Sequence, residues 1–199
     1  MRQGIEMAAV RQVVPPTIYS AQIHGETTHI EIYSRVTDPV LRSTALGAME
    51  MIRMRCGAIA IKRHAAEIKG RAPRMLTFIL QVRGRGSFSH YGNQIALDEG
   101  DITLCDNNSQ YELRQEGPGE TILFRVPAGM VRDAIPTPDF LCGRRLAGHD
   151  GLASTALAMA IDLAGKDDSR LDAAMRERAG RHLLDVLASA FVPMLDERT

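Results

Sequence analysis

The stretch MLTFILQVRGRGSFSHYGNQIALDEGDITLCDNNSQYELRQEGPGETILFRV (75–126) decides the fold. Its first eight residues are nearly all apolar and bulky, as in a strand covered on both faces. Everything after them is short and punctuated. Gly84 and Gly86 precede SFSHY, Gly92-Asn93 precedes QIALD, and Glu99-Gly100-Asp101 precedes ITLC. Asn107-Asn108-Ser109 then precedes QYELRQ, and Gly117-Pro118-Gly119 precedes ETILFRV. Turn chemistry at that spacing is the signature of an antiparallel sandwich or barrel. Upstream, AIAIKRH (58–64) and AMEMIRMRC (48–56) continue the pattern, so an all-β core is expected over about 48–126. HIEIYSRV (29–36) alternates enough for one more strand. The rest of 1–46 has no clear period and is assigned to a segment packed on the barrel.

After Pro127 the period changes. AGMVRDAI (128–135) reads as a short helix closed by Pro136 and Pro138. A helical hairpin is expected over about 150–195. Asp150 is placed to cap its first helix, LASTALAMAIDLA (152–164) ending at Gly165; Asp168 or Ser169 is placed to cap the second, which Pro193 kinks or ends. The first helix is apolar nearly all round, so it needs cover on more than one side. The second carries a stripe of Leu171, Met175, Ala179, Leu183, Leu187, Phe191 and Met194 at helical spacing. One face must pack on the chain's own sandwich. Another is expected to pair two subunits, through Leu171, Met175, Leu183, Leu187 and Phe191. The organisation expected is one compact domain: 1–46 packed on the barrel, a barrel over 47–135, and a helical dimerisation region over 136–199.

Composition bounds the function. The 199 residues carry 24 Lys and Arg against 24 Asp and Glu, so the basic excess that neutralises nucleic-acid phosphates is lacking. Cys56, Cys105 and Cys142 are isolated and form no CxxC pair, which suits a reducing compartment better than a disulfide framework. The N-terminal MRQGIEMAAVRQVVPP lacks the apolar core of a secretory signal, and no stretch approaches the roughly 18–20 apolar residues of a membrane span. A cytoplasmic, membrane-free protein is expected.

The chemistry-bearing motifs are few. Gly84-Arg85-Gly86 lacks the third glycine of a dinucleotide loop, and an alternating strand follows it instead of a helix; it is a hairpin turn. A metallocupin needs two His two residues apart on one strand, whereas His90 has Phe88 and Gly92 at those positions. There is no GxSxG elbow and no cysteine in an activating context. No metal, cofactor or catalytic residue is expected.

Charge is more informative. Arg53, Arg55, Lys62, Arg63, Lys69, Arg71, Arg74, Arg83 and Arg85 crowd a stretch holding one acid, Glu67. Most of these read as a solvated face balanced by acids elsewhere. Arg63 differs, because the alternation of AIAIKRH puts it on the face of Ile59 and Ile61, with Lys62 opposite. An inward guanidinium needs a partner, either a protein carboxylate or an anionic ligand. The same phasing nominates Phe78, Phe88, His90 and Tyr111 as pocket residues; the competing reading is a filled core.

The segment GDITLCDNNSQYEL (100–113) resembles the N-terminal sensor domain of AraC-type regulators, in the AraC-binding-like, cupin-like subgroup. LTFILQVRG (76–84) matches the strand that precedes it, RVPAGMV (125–131) the Val-Pro step into a short helix, and GRRLAGHDGLA (143–153) the segment that opens the next helix. Arg63 matches an arginine after the second strand of the pattern. The resemblance implies a cupin-like β-sandwich or barrel followed by helices. It also implies an effector-binding and dimerisation domain that senses a small organic molecule, anionic if Arg63 holds it. Such domains pair as homodimers and reach DNA through a helix-turn-helix domain, which is not found in 1–199. A stand-alone cupin-like enzyme of isomerase or oxygenase type, or a ligand-free dimerisation protein, is the alternative.

Overall fold

A computed structural model describes residues 17–23, 26–32, 40–68, 73–149, 151–165 and 171–196. Along the chain lie strands β1 (Thr17–Ile23), β2 (Glu26–Ile32), β3 (Val40–Leu46), β4 (Met49–Cys56), β5 (Ile59–Arg63) and β6 (Met75–Arg83). They continue with β7 (Gly86–His90), β8 (Asn93–Leu97), β9 (Ile102–Asp106), β10 (Tyr111–Gln115) and β11 (Gly119–Pro127). Helix α1 (Ala128–Ala134), the two-residue strand β12 (Arg145–Leu146), and helices α2 (Gly151–Gly165), α3 (Ala173–Phe191) and α4 (Pro193–Asp196) complete it.

The strands form two six-stranded sheets, β1-β2-β5-β10-β7-β8 and β12-β9-β6-β11-β4-β3, with antiparallel neighbours. This is the antiparallel sandwich that the turn spacing predicts, with the C-terminal helices expected from the change of period after Pro127 and the cupin-like arrangement that the resemblance implies. Turn chemistry fixes the register locally. Tyr91 and Gly92 take φ of 50° and 78° between β7 and β8, the left-handed pair that a tight hairpin requires. The N-terminal segment does more than pack on the barrel, since β1 and β2 extend the first sheet from β5 and β3 extends the second from β4. TIYSAQI (17–23) and VLRSTAL (40–46) lie at sheet edges, where polar residues are common and alternation is weak.

The second sheet is covered on both faces, which explains why β6 is nearly all apolar. Its inner face carries Met54, Ile79 and Cys105, which meet Ile59, Ile61, Phe88 and Leu113 of the first sheet. Its outer face carries Met51, Phe78, Leu80 and Phe124, on which the helices lie. Helix α2 turns a stripe of buried Ala153, Ala156, Ala160 and Ala164 toward the sheet, small side chains that permit close approach. Helix α3 runs beside it; a Cβ on Gly180 would come within 2.8 Å of Met49 and 3.0 Å of Leu46, so α3 sits hard against the β3–β4 hairpin.

Capping departs from expectation at one end. Asp172 caps α3, its side chain accepting from the Met175 amide at 2.7 Å. Asp150, Asp168 and Ser169, the nominated caps, lie outside the described residues. Pro193 ends α3 as expected and opens the single turn of α4.

The expected dimer stripe is corrected. Leu183, Leu187 and Phe191 are 0 % exposed and belong to the chain's own core, with the Phe191 ring 5.8 Å from that of Phe78. A side chain sealed inside one subunit has no surface to offer another. Leu171 is half-buried and Met175 exposed, so of the nominated stripe only its N-terminal end reaches solvent.

Candidate functional site

Pairing across β5, β10 and β7 aligns Arg63, Tyr111 and His90 in one rung, with Ile61, Leu113 and Phe88 in the next rung inward. Alternation carries both rungs to the inner face of the first sheet. Arg63 is therefore 5 % exposed, as its phase with Ile59 and Ile61 predicts. The Phe88 ring lies 5.5 Å from His90 and 6.2 Å from Tyr111, so Arg63, Phe88, His90 and Tyr111 gather at one end of the sandwich.

Phe78 does not join them, and its nomination is corrected. It pairs in register with Phe124 on the outer face, where the two rings stack at 6.2 Å beneath α3. In a strand apolar on both faces the phase of any single residue is unreadable.

His90 is held by backbone on both sides of its ring. Nδ1 meets the Gln110 carbonyl at 3.0 Å, and Nε2 accepts from the Asp106 amide at 3.0 Å. This arrangement needs the neutral ring, with its proton on Nδ1. Burial drives the His90 pKa below its ordinary value, outweighing the Gln110 and Asp106 contributions that raise it. Its role is to clamp the turn between β9 and β10. Because the folded pKa lies below the unfolded value of about 6.5, this contribution is complete above that pH and is lost as pH falls beneath it. His90→Gln is expected to cost about 1–3 kcal/mol at pH 8, by leaving buried backbone groups poorly satisfied. The gap between the two proteins should narrow at pH 5.5 in urea titrations. A gap that is constant with pH contradicts the clamp.

Sequence reasoning missed the acid at the centre of this turn. Asp106, 2 % exposed, accepts from Arg74 Nη2 at 2.5 Å, from the Tyr91 hydroxyl at 2.6 Å and from the Asn108 amide at 2.9 Å. Arg74 also reaches Asp139 at 2.6 Å, in a short helical turn between α1 and β12. Burial pushes the Asp106 carboxyl upward, but its hydrogen bonds to Arg74 and Tyr91 outweigh this and hold it below its usual value. Elsewhere in the basic run Arg53 and Arg55 share Glu120 and Arg85 meets Asp98, while Lys69 and Arg71 lie outside the described residues.

Two spaces flank this end of the sandwich. A polar, open cleft of about 630 Å³ is lined by Lys62, Arg63, His64, Ser89, Asn93, Tyr111 and Glu112, among others. Between the sheets lies a cavity of about 50 Å³, walled mainly by Ile52, Ile61, Ile79, Leu113 and Leu123, with Thr77, Asn107 and Arg125 among its polar groups. Tyr111 lines both. Among the described residues, no three His, Cys, Asp or Glu side chains converge as metal ligands would. Cys56 and Cys142 are buried thiols, Cys56 pushed up to about 11 by burial, and neither has the depressed pKa of a nucleophile. No helix among the described residues is long and apolar enough to cross a membrane.

Residues 35–192 match the model of a family described as the AraC-binding-like domain. The AraC-like transcriptional activator CuxR shares the fold, with a TM-score of 0.65 over 83 % of this chain and 56 % of that one, at 14 % identity. An RmlC-like cupin protein from Desulfovibrio desulfuricans overlaps 62 % of this chain and 98 % of its own at 10 % identity, with a TM-score of 0.37. A protein from Bacillus sp. (strain OxB-1), described as an uncharacterized protein in the nit 5' region, is 26 % identical over 111 residues, covering 56 % of this chain and 43 % of its own length. The chain thus spans less than two thirds of both CuxR and the Bacillus protein.

Proposed function

Because the chain belongs to the AraC-binding-like domain family, we propose that it is the effector-binding and dimerising part of an AraC-type transcription regulator, with the effector seated in the cleft at Arg63 and Tyr111. The observation that carries this is the buried Arg63 guanidinium at the wall of a cleft of about 630 Å³. A planar five-donor fork suits a carboxylate. Lys62 and His64 stand on the same cleft, against Glu112 as its acid. The effector is accordingly a small organic anion, and the role is recognition with no catalysis. Contact with DNA is the task of a helix-turn-helix domain outside these residues.

Dimerisation belongs to the outward surface of the helical hairpin. Ser154, Thr155 and Ala158 give α2 a small-residue outer face, flanked by exposed Leu152, and Met175 stands exposed at the start of α3. Leu171 lies beside that end, half-buried.

Thermal-shift screening of carboxylic acids, followed by titration calorimetry on the best one, tests the Arg63 site. Losing one partner of a desolvated charge pair costs about 2–5 kcal/mol. Arg63→Ala is therefore expected to weaken Kd by about 30-fold or more. An unchanged Kd removes Arg63, and with it this cleft, from the effector site.

A further inference from the structure

We propose that the small cavity between the sheets receives the apolar end of the effector, which makes the effector a short-chain aliphatic monocarboxylate threaded past Tyr111. The inference rests on the effector reading of the Arg63 cleft. It adds which end of the molecule goes where, and how long the molecule is.

Four observations support the orientation. The cavity walls are aliphatic and drawn from both sheets: Ile61 and Leu113 from one, Ile79 and Leu123 from the other. Two of its polar groups have partners within the protein, and its lining is mainly aliphatic. Thr77 donates to Asn107 at 2.8 Å, and Arg125 meets Glu50 at 3.2 Å. What the cavity offers a ligand is therefore dispersion and burial. The outer cleft offers the opposite, with hydroxyls, amides and the Arg63 guanidinium. Tyr111 divides the two spaces, half-buried and paired directly with Arg63 across the strands. A molecule reaching from one space to the other must be charged at one end and apolar at the other. The cavity volume of about 50 Å³, less than two waters' share of the liquid at about 30 Å³ each, limits the tail to a short alkyl group.

Titration calorimetry on the whole chain with straight-chain acids from acetate to hexanoate, alongside the matching alcohols, tests this. Each methylene buried contributes about a fourfold gain in Kd, from roughly 0.8 kcal/mol per CH₂. The gain should continue until the cavity is full and then stop. Alcohols should bind far more weakly at every length. Leu123→Phe, which fills the cavity, should move the break to a shorter acid and leave acetate unaffected. Leu113→Val, a milder change that enlarges the cavity, should move the break to a longer acid. Circular dichroism establishes that each variant is folded. Acids whose Kd ignores chain length and both substitutions overturn the tail site while leaving the Arg63 head site standing. No measurable binding by any acid overturns both.

Discussion

Leu183→Asp is expected to leave the chain without a cooperative unfolding transition at 25 °C, and not to yield a folded monomer. Leu183 is 0 % exposed within the cluster that joins α3 to Phe78, Phe124 and Leu80 of the second sheet. Truncating a buried leucine costs about 2–5 kcal/mol, and putting an unpaired carboxylate in its place adds the desolvation of a charge. The sum rivals the entire stability of a domain, about 5–15 kcal/mol. Leu152→Glu is the informative contrast. Leu152 is 48 % exposed in the first turn of α2, where an acid also complements the helix dipole. Its stability should stay within about 0.5 kcal/mol of the parent. If the outer face of α2 pairs two subunits, light scattering behind gel filtration will show this variant as a monomer where the parent is a dimer. A folded Leu183→Asp protein contradicts the core assignment; a dimeric Leu152→Glu protein contradicts the interface.

The distinction between those two leucines marks where sequence stops informing. A 3.6-residue period says that one face of α3 is apolar, but not whether the cover is its own sheet or another copy. The strand assignments from Met49 to Val126 were legible because Gly, Asn and Pro punctuate them and a sandwich alternates. Alternation also located Arg63, whose neighbours differ in polarity on the two faces. It failed for Phe78 because Leu76 and Leu80 on its own face and Ile79 on the other are all apolar, so neither face stands out. Phe88, His90 and Tyr111 could be phased, and pairing then brought them together around Arg63. The Asp106 cluster had no sequence signal at all: Arg74 is 32 residues from Asp106 and 65 from Asp139. Only the pairing of β6 with β9, which sets Leu76 opposite Asp106, and the turn at Pro138–Phe140 place them side by side.

That cluster gives the second large effect. Asp106→Ala is expected to cost about 3 kcal/mol, the lower end for breaking a buried ion pair, since the Arg74 side chain retains 34 % exposure and keeps Asp139 as a partner. Asp106→Asn should cost less, because an amide oxygen can still accept from the Asn108 amide and hold the turn. The sign of the pH dependence follows from the carboxyl's depressed pKa: its stabilisation is complete above the unfolded value of about 3.9 and is lost as pH falls below it. The carboxylate does more than stabilise. It ties the start of β6, the β7–β8 hairpin and the β9–β10 turn to the segment that leads from α1 toward α2. Ser109, Gln110 and Tyr111 continue from that turn along the cleft. On the proposed effector reading, a ligand that orders the cleft acts on the same turn that Arg74 joins to Asp139 in the segment leading toward α2. Hydrogen exchange is the measurement that separates a local from a transmitted effect. In Asp106→Ala, amides of 106–111 and of 139–146 should lose protection together. Loss confined to 106–111 leaves Asp106 a turn clamp and nothing more.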